Sequence, residues 1–352
     1  MVNSLNRQKQ LIMKTKILLL LLTALGQFAC QNQDWDFPDF DYTATYFPFQ
    51  YPVRTLVLGD YVYDNQNDNN LKFLISPRIS GMYENNQDWT VKFEVNEQLA
   101  HNLLTPKGDT IRILPPAYYQ LSPQNQIVIP KGEFSAGIEV QLTEAFLNDT
   151  LAVGFNYVIP LMITSTTTDS LLTGVPAKPD ADPRVAGDWV QMPKHFTLFG
   201  IKYVNPYHGK YLHRGASVIK NPEGETLETV VYRTRDVEKN EIWSLQTFRR
   251  NEVVVTGTLR TSAGSPGTFS LKLTFADNGT CTIAQARGSQ FAASGSGKFV
   301  EDGDEWGNKK RDAIHLNYQI NDGTNLHFIT DTLVFRDKGV TFEEYKPTVY
   351  VD

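Results

Sequence analysis

The stretch IHLNYQI, residues 314–320, decides the fold class of this chain. Its apolar residues alternate with polar ones, so Ile314, Leu316, Tyr318 and Ile320 share one face of a β-strand. Further alternating segments, separated by Gly, Asn and Asp, lie at residues 230–235, 252–258, 269–275, 281–284 and 326–335. The second half of the chain is therefore predicted to consist of sequential antiparallel strands.

About eight sequential antiparallel strands with short turns are most easily closed as an up-and-down barrel. Closure removes the exposed edges that would otherwise pair with other chains. We therefore expect a calycin-like antiparallel β-barrel in this half. A two-sheet jelly roll of lectin type is the alternative, and periodicity alone does not separate the two.

The first half alternates in the same way at residues 71–75, 89–95 and 138–142. Its strands are short, lie between Pro and Gly turns, and have no amphipathic helix between them. This pattern is typical of an immunoglobulin-like β-sandwich, which we place at residues 43–165. Thr, Ser, Asp and Pro without an apolar period predict a linker at residues 166–185, so that the barrel spans residues 186–352.

Residues 13–30 have the pattern of a bacterial export signal that ends in a lipid-modified cysteine. Lys14 and Lys16 supply positive charge, and the apolar run that follows them is too short to span a bilayer. The small Ala29 directly precedes Cys30. We predict a signal peptide at residues 1–29 with its true start at Met13, and Cys30 as the lipidated first residue of the mature chain. The alternative is an ordinary secretory signal with a chance cysteine.

Residues 30–42 carry four aspartates interleaved with four aromatic residues. They resemble the acidic surface-export signal of Bacteroidetes lipoproteins, and a solvated acidic tether is the physical alternative. The expected location is the outer membrane, with the protein anchored by lipid and exposed at the cell surface. The formal net charge of -6, without a basic cluster, argues against a nucleic-acid partner.

No enzyme motif stands out. A glycosidase needs two positioned carboxylates, and among 39 acidic residues a pair by itself is almost worthless as evidence. The family-18 signature DxxDxDxE, the GxSxG elbow, HExxH and the P-loop are all missing, and the six histidines lack metal-ligand spacing. We therefore predict no catalytic residues, no metal site and no cofactor.

Several segments resemble one bacterial family. TYFPFQYPVRTL at 45–56, YQLSP at 119–123 and YVIPL at 157–161 resemble the N-terminal domain of Bacteroidetes polysaccharide-utilisation lipoproteins, a domain that also precedes family-18-type endoglycosidases. FTLFGIKYVNPYHG at 196–209 and DGDEWG at 302–307 resemble the C-terminal domain of the non-catalytic members. Both domains are of unknown function.

The resemblance implies a SusE-like surface lipoprotein that binds oligo- or polysaccharide for a neighbouring SusC/SusD-like transporter. Its expected partners are a glycan, that transporter, and the membrane through the lipid anchor. The alternative is an assembly subunit of the transporter that touches no sugar. A glycoside hydrolase ranks third, because no signature carboxylate pair is present.

Glycan binding requires aromatic rings beside polar groups that meet the sugar hydroxyls. Trp306 with Asp304 lies in a very polar segment without an apolar strand face for the indole. The second candidate group is a Pro- and Gly-broken segment that contains Tyr203, Tyr207, His208 and Tyr211. The structural alternative is that Trp306 covers a barrel end and that the tyrosines form a corner of the fold.

Asp-Ser/Thr-aliphatic triplets resemble the sites that Bacteroidetes O-glycosylate on exported proteins. Ser170 is the first candidate, because the predicted linker is open to an enzyme. Thr110 and Thr150 are the other candidates, whereas Thr332 is expected inside a strand.

Overall fold

The computed structural model describes residues 40–350. Strands make up 52% and helices 8% of the protein, which confirms the all-β class. Cys30, the signal peptide and most of the acidic tether lie outside the described residues. Between residues 40 and 350, no helix has the length and apolar character needed to cross a membrane.

The strands of the first half are β1 (Ala44–Tyr46), β2 (Pro52–Val57), β3 (Lys72–Ile75), β4 (Arg78–Ser80), β5 (Trp89–Val95), β6 (Leu103–Leu104), β7 (Arg112–Ile113), β8 (Tyr119–Ser122), β9 (Gln126–Ile129), β10 (Ile138–Leu142), β11 (Tyr157–Thr166), β12 (Ser170–Leu171) and β13 (Val175–Pro176). Two short helices, α1 (Gln66–Asn69) and α2 (Glu144–Asn148), interrupt them.

The strands of the second half are β14 (Trp189–Gln191), β15 (Phe196–Val204), β16 (Gly209–Lys220), β17 (Thr226–Tyr232), β18 (Glu241–Arg249), β19 (Glu252–Thr258), β20 (Thr268–Phe275), β21 (Thr280–Gln285), β22 (Ala292–Trp306), β23 (Lys309–Asn321), β24 (Leu326–Asp337), β25 (Glu343–Glu344) and β26 (Thr348–Val349). Single 3-10 turns lie at Glu97–Ala100, Pro116–Tyr118, Thr150–Val153, Ala186–Asp188 and Val237–Lys239.

Two sheets of the first half enclose a shared core in a sandwich-like arrangement, as predicted. The larger sheet has the order β25-β2-β15-β11-β5-β9, and the smaller one has the order β3-β10-β8. Val91 and Phe93 of β5 are buried together with Ile138 and Val140 of β10, while the residues between them are less buried. The period-2 alternation of the sequence therefore gives each sheet its inner face.

The structure places the change from sandwich to barrel later than the sequence predicts. β15 lies within the predicted second domain, yet it pairs with β2 and β11 in the sandwich sheet. β25, near the end of the chain, also returns to this sheet beside β2. The predicted linker at 166–185 contains β12, which pairs with β1. Composition did not reveal these long-range pairings, because a strand looks the same whichever sheet it joins.

The second half forms a closed eight-stranded antiparallel barrel, which decides against the jelly roll. Its ring runs β16-β18-β19-β20-β21-β22-β23-β24, and β24 pairs back to β16 over residues 326–337. β17 lies outside this ring, as a hairpin partner of β16. From β18 to β24 each ring strand pairs with the next strand in sequence, and β16 closes the ring by pairing with both β18 and β24.

Side chains fill the barrel interior. Ile314, Leu316, Tyr318 and Ile320 of β23 are buried, and the polar residues between them are exposed, as the sequence predicts. A cavity of ≈ 10 Å³ lies beside His213, large enough for about one water molecule. The barrel is therefore a packed core, and a ligand site has to be sought on its outside.

Candidate functional site

The sandwich and the barrel are joined by two chain segments that run side by side. Residues 205–208 lead from β15 into β16, and residues 338–342 lead from β24 back to β25. Lys210 pairs with Asp337 at the start of the barrel, and the Lys338 ammonium donates a hydrogen bond to the Pro206 carbonyl. This double crossing, which we call the junction, borders three cavities.

Asn205 anchors the junction. Its side chain is fully buried, and its amide Nδ2 donates to the carbonyls of Arg249 and Glu252, each at 2.9 Å. Its Oδ1 accepts a hydrogen bond from the backbone N–H of Tyr207 at 3.1 Å. Because this buried amide makes three hydrogen bonds, it holds the crossing segment at residues 205–208 against the barrel. In the sequence, Asn205 belongs to the segment at 196–209, where nothing marks it for this role.

A groove lies on one side of the junction, between the sandwich and the barrel. It consists of two cavities of ≈ 820 Å³ and ≈ 550 Å³, which share Gly59, Pro206, Tyr207 and Asp277 in their walls. Gly59 has φ +78°, and a Cβ atom there would lie 2.6 Å from the Pro206 Cβ atom. Glycine at this position allows the sandwich loop to approach the junction closely.

Tyr207 lies at the middle of this groove. Its ring stacks on Phe275 with 3.7 Å between ring centroids and an interplanar angle of 12°, and the ring of Phe299 lies 5.3 Å away at a steep angle. The Tyr207 side chain is half-buried, and burial raises the pKa of its hydroxyl. Phe275 and Phe299 therefore hold an aromatic ring in a fixed orientation in the groove wall.

Polar side chains surround Tyr207. Asp277 is exposed and has no ion-pair partner among residues 40–350. Arg250 and Glu144 form an ion pair between barrel and sandwich, and exposed Asn148 and Asn251 add amide groups. Amides, carboxylates and guanidinium groups beside an aromatic ring are the groups that recognise sugar hydroxyls.

His208 lies on the other side of the junction, in a separate pocket of ≈ 250 Å³ that excludes Tyr207. Its Nδ1 atom accepts a hydrogen bond from the backbone N–H of Thr247 at 3.1 Å. Burial, together with the charges of Lys338 and Lys202, lowers the pKa of His208 to about 4. The neutral imidazole therefore accepts a hydrogen bond within the junction. The sequence placed His208 and Tyr207 in one candidate group, but the two side chains line different cavities.

Tyr203 and Tyr211, which were predicted to bind glycan, are only 1% exposed. The Tyr203 hydroxyl donates to the Leu147 carbonyl at 2.9 Å inside the sandwich. The Tyr211 hydroxyl donates to the Tyr207 carbonyl at 3.0 Å, and its ring belongs to the barrel core. Their ring faces lie within the two cores and cannot stack on a sugar.

Trp306 and Asp304 lie on a hairpin extension of β22 and β23 and outside the groove. Residues 307 and 308 form its two-residue turn, and both have positive φ. The indole N–H donates to the Phe335 carbonyl at 2.9 Å, and the Arg311 guanidinium lies over the ring at 4.4 Å. Asp304 forms an ion pair with Arg214. Both side chains already have protein partners.

The barrel interior contains a polar network that the sequence does not predict. Asp331, 1% exposed, accepts hydrogen bonds from the hydroxyls of Tyr232 at 2.6 Å and Tyr318 at 2.7 Å. The His213 Nε2 atom lies 3.1 Å from its Oδ2, and the imidazole stacks on Trp243 at 3.7 Å. In the sequence Asp331 is one more polar residue of an alternating strand, so only the three-dimensional structure shows that it faces inward.

The three modification candidates differ in accessibility. Thr110 and Thr150 are exposed, whereas Ser170 is half-buried in β12 and not in a free linker. Cys281 is buried in β21, and burial raises the pKa of its thiol to about 12. Over residues 40–350, no three His, Cys, Asp or Glu side chains are grouped to hold a metal ion.

Two domain families match the chain. Residues 40–170 match a model described as an N-terminal domain, and residues 206–339 match a domain of unknown function, DUF5627. The second match begins at the junction, in agreement with the structural position of the barrel. No curated protein matches the chain.

Among solved structures, a protein of unknown function from Bacteroides ovatus is 35% identical, with a TM-score of 0.82. The match covers 88% of this chain and 100% of that one. A multidomain protein including DUF1735, also from Bacteroides ovatus, is 13% identical with a TM-score of 0.43, over 85% of this chain and 97% of that one. An auxiliary nutrient binding protein from Bacteroides thetaiotaomicron is 11% identical with a TM-score of 0.38, over 80% and 90% of the respective chains.

Proposed function

The chain belongs to the family of the Bacteroides ovatus protein of unknown function, and from this premise we propose that it is a non-catalytic surface lipoprotein that binds oligo- or polysaccharide. The binding site of this proposal is the groove around Tyr207. The observation that carries it is the position of this ring, held by Phe275 in the wall of two connected cavities and surrounded by polar side chains.

The dimensions of the groove support an oligosaccharide. Its two cavities, ≈ 820 Å³ and ≈ 550 Å³, are both within the range of about 300–1,000 Å³ that ligand pockets occupy. Because they share four wall residues, Tyr207 among them, a chain of sugar rings can extend from one into the other. The packed barrel interior offers no comparable space.

One acidic residue of the groove is a poor candidate for a catalytic acid. Asp149 lies in its wall, and its Oδ2 atom accepts hydrogen bonds from the hydroxyls of Tyr118 and Tyr157, while Oδ1 accepts one from the Leu151 N–H. Burial acts to raise the pKa of Asp149, but these hydrogen bonds outweigh burial and lower it. A carboxylate that is saturated in this way is a poor proton donor.

The proposal places the protein at the outer membrane, attached through lipidated Cys30 and the acidic tether, where it delivers captured glycan to a SusC/SusD-like transporter. Ser170, Thr110 and Thr150 remain the proposed O-glycosylation sites, and exposure favours the two threonines.

An assembly subunit that does not bind sugar is the second candidate. The loop at residues 60–64 favours it, because Val62 and Tyr63 are 81% and 71% exposed beside the groove wall at Gly59. Exposed apolar side chains on one loop are typical of contact with another protein.

Affinity electrophoresis against plant, host and yeast polysaccharides identifies the ligand, and titration calorimetry then measures the variants. Tyr207→Ala should weaken binding about tenfold, because a stacked ring contributes about 1–2 kcal/mol. Tyr207→Phe keeps the ring and should retain most of the affinity.

Asp277→Asn is the matched polar variant, because Asp277 lines the groove and has no ion-pair partner in the described chain. Two results together would favour the assembly subunit over the glycan-binding protein. No polysaccharide retards the wild-type protein in affinity electrophoresis, and the protein co-purifies with the transporter pair only when Val62 and Tyr63 are intact.

A further inference from the structure

The two cavities of the groove differ in the charges of their walls. The larger cavity contains both signs, because Arg250 forms an ion pair with Glu144, and Arg249 also borders it. The smaller cavity, which we call the acidic lobe, has no Lys, Arg or His side chain among the described residues of its wall. Its charged residues are Asp60, Asp277, Glu301 and Asp312.

The four carboxylates of the acidic lobe have no ion-pair partner between residues 40 and 350. Asp60, Asp277 and Glu301 are exposed. Asp312 is half-buried, and its Oδ1 atom accepts a hydrogen bond from the backbone N–H of Asp302 at 3.1 Å. The fold therefore does not use the three exposed carboxylates in ion pairs, and they are open to a ligand.

Lys338 lies near the acidic lobe but does not balance its charge. Burial lowers the pKa of Lys338 to about 8, and the charges of Asp312 and Asp60 oppose this shift. Lys338 is only 3% exposed, and its ammonium donates a hydrogen bond to the Pro206 carbonyl. One buried ammonium group cannot neutralise four carboxylates, so the lobe keeps an excess of negative charge.

Two aromatic rings share this wall with the carboxylates. Tyr207 and Phe299 both line the acidic lobe, with 5.3 Å between ring centroids and an interplanar angle of 79°. An ammonium group is attracted by the face of an aromatic ring and forms strong hydrogen bonds with carboxylates. Rings and carboxylates in one wall, without a basic side chain, are the combination that recognises an organic cation.

The spread of the charges favours an organic cation over a metal ion. Within the described part of the chain, no three His, Cys, Asp or Glu side chains are grouped to hold a metal. The acidic lobe has a volume of ≈ 550 Å³, within the range of about 300–1,000 Å³ that ligand pockets occupy. Negative charge distributed over a cavity of this size fits a sugar unit that carries its own positive charge.

We propose that the acidic lobe binds a sugar unit with a protonated amine, so that the groove prefers an oligosaccharide of amino sugars with free amino groups. Tyr207 stacks on a sugar ring, and the exposed carboxylates of Asp277 and Glu301 accept hydrogen bonds from the ammonium group. The same charges repel uronate-containing and sulfated glycans. This inference rests on the proposed function, because it names the class of glycan for the same groove.

The test uses the full mature protein and two trimers with the same β-1,4-linked backbone, the glucosamine trimer and its uncharged, fully N-acetylated form. The titrations are made by calorimetry at low ionic strength and about pH 6, where carboxylates are ionised and the glucosamine amines are protonated. The glucosamine trimer should bind about tenfold more tightly, because it adds two exposed charge contacts. Added salt should reduce this difference. A galacturonate trimer, which carries carboxylates, should not bind at the same concentrations.

The variants remove charge and keep the shape of the side chains. Asp277→Asn and Glu301→Gln should each reduce the preference for the glucosamine trimer about threefold, and the double variant should bind both trimers equally. Asp60 and Asp312 stay unchanged, because their charges also act on a buried lysine. Glu238→Gln, which removes an exposed carboxylate outside the groove, is the matched control and should keep the full preference.

Three results would overturn the inference: equal affinity for the glucosamine and N-acetylated trimers, a preference that survives in the double variant, or binding of the galacturonate trimer. If the protein binds neutral polysaccharides in affinity electrophoresis but not the glucosamine trimer, the proposed function stands and this inference is wrong. If the preference depends on Asp277 and Glu301 while Tyr207→Ala changes the affinity for neither trimer, the acidic lobe recognises the amine and the stacking role of Tyr207 in the proposed function is wrong.

Discussion

In the barrel interior, the Asp331 carboxylate is enclosed by protein partners, whereas in the groove beside the junction several polar side chains face solvent. Asp331 accepts hydrogen bonds from two buried tyrosines, and the interior around it leaves a cavity of only ≈ 10 Å³. Asp277 in the groove is exposed, with no ion-pair partner in the described chain, beside the ring of Tyr207. The same residue types therefore stabilise the fold in one region and remain available to a ligand in the other.

This difference indicates where each kind of substitution should act. A carboxylate that completes a buried network contributes to the free energy of unfolding, because its removal leaves buried donors without partners. A carboxylate on an exposed wall contributes little to stability. Substitutions in the barrel should consequently change stability, and substitutions in the groove should change binding.

The largest effect is expected for Asp331→Ala. It leaves the hydroxyls of Tyr232 and Tyr318 without their acceptor and removes the carboxylate beside His213. We expect the free energy of unfolding to fall by about 3–5 kcal/mol, measured by urea denaturation. Asp277→Ala is the control and should change it by less than about 0.5 kcal/mol. If both variants lowered the free energy of unfolding by the same amount, the barrel interior and the groove would not differ in this respect.

The junction should show an intermediate effect that depends on pH. Burial lowers the pKa of His208 to about 4, whereas the unfolded chain protonates near 6.5. Between these values the unfolded state binds more protons, so stability is complete above about pH 6.5 and falls as the pH falls toward 4. The contribution is about 2–3 kcal/mol over this window.

His208→Asn keeps a hydrogen-bond acceptor and removes the titrating imidazole. Its melting temperature should decrease less than that of the wild type between pH 6.5 and 4.5. His195, whose pKa burial also lowers, titrates in both proteins and cancels in the difference. Parallel pH curves for the two proteins would show that the His208 imidazole does not carry the effect.

The smallest effect is expected for Trp306→Ala. It removes the hydrogen bond to the Phe335 carbonyl and the contact with Arg311, so the free energy of unfolding should fall by about 1 kcal/mol. Because Trp306 lies outside the groove, glycan affinity should stay within about twofold of the wild type. A tenfold loss of affinity at unchanged stability would instead move the binding site to the hairpin, the other position that the sequence indicates.

The two predicted aromatic groups show how far sequence reasoning reaches. Trp306 lies in a polar segment, which suggested a ligand contact, but cross-strand pairing brings Arg311 over its ring. In the second group, Tyr207 is half-buried in the groove wall, while Tyr203 and Tyr211, four residues to either side, are only 1% exposed and belong to the two cores. Local composition does not distinguish these tyrosines, since their exposure depends on which sheet lies against each one.

The sequence by itself determined the all-β class, the sandwich-like first half and the alternation that gives each barrel strand an inner face, because period-2 burial is a local property. Only the tertiary structure decided between barrel and jelly roll, since the pairing of β24 with β16 joins residues more than 100 positions apart. The tertiary structure also decided that β15 belongs to the sandwich and that the chain passes from the sandwich to the barrel at Asn205. The groove exists because two chain crossings hold the sandwich against the barrel, and such a contact leaves no periodic signal in the sequence.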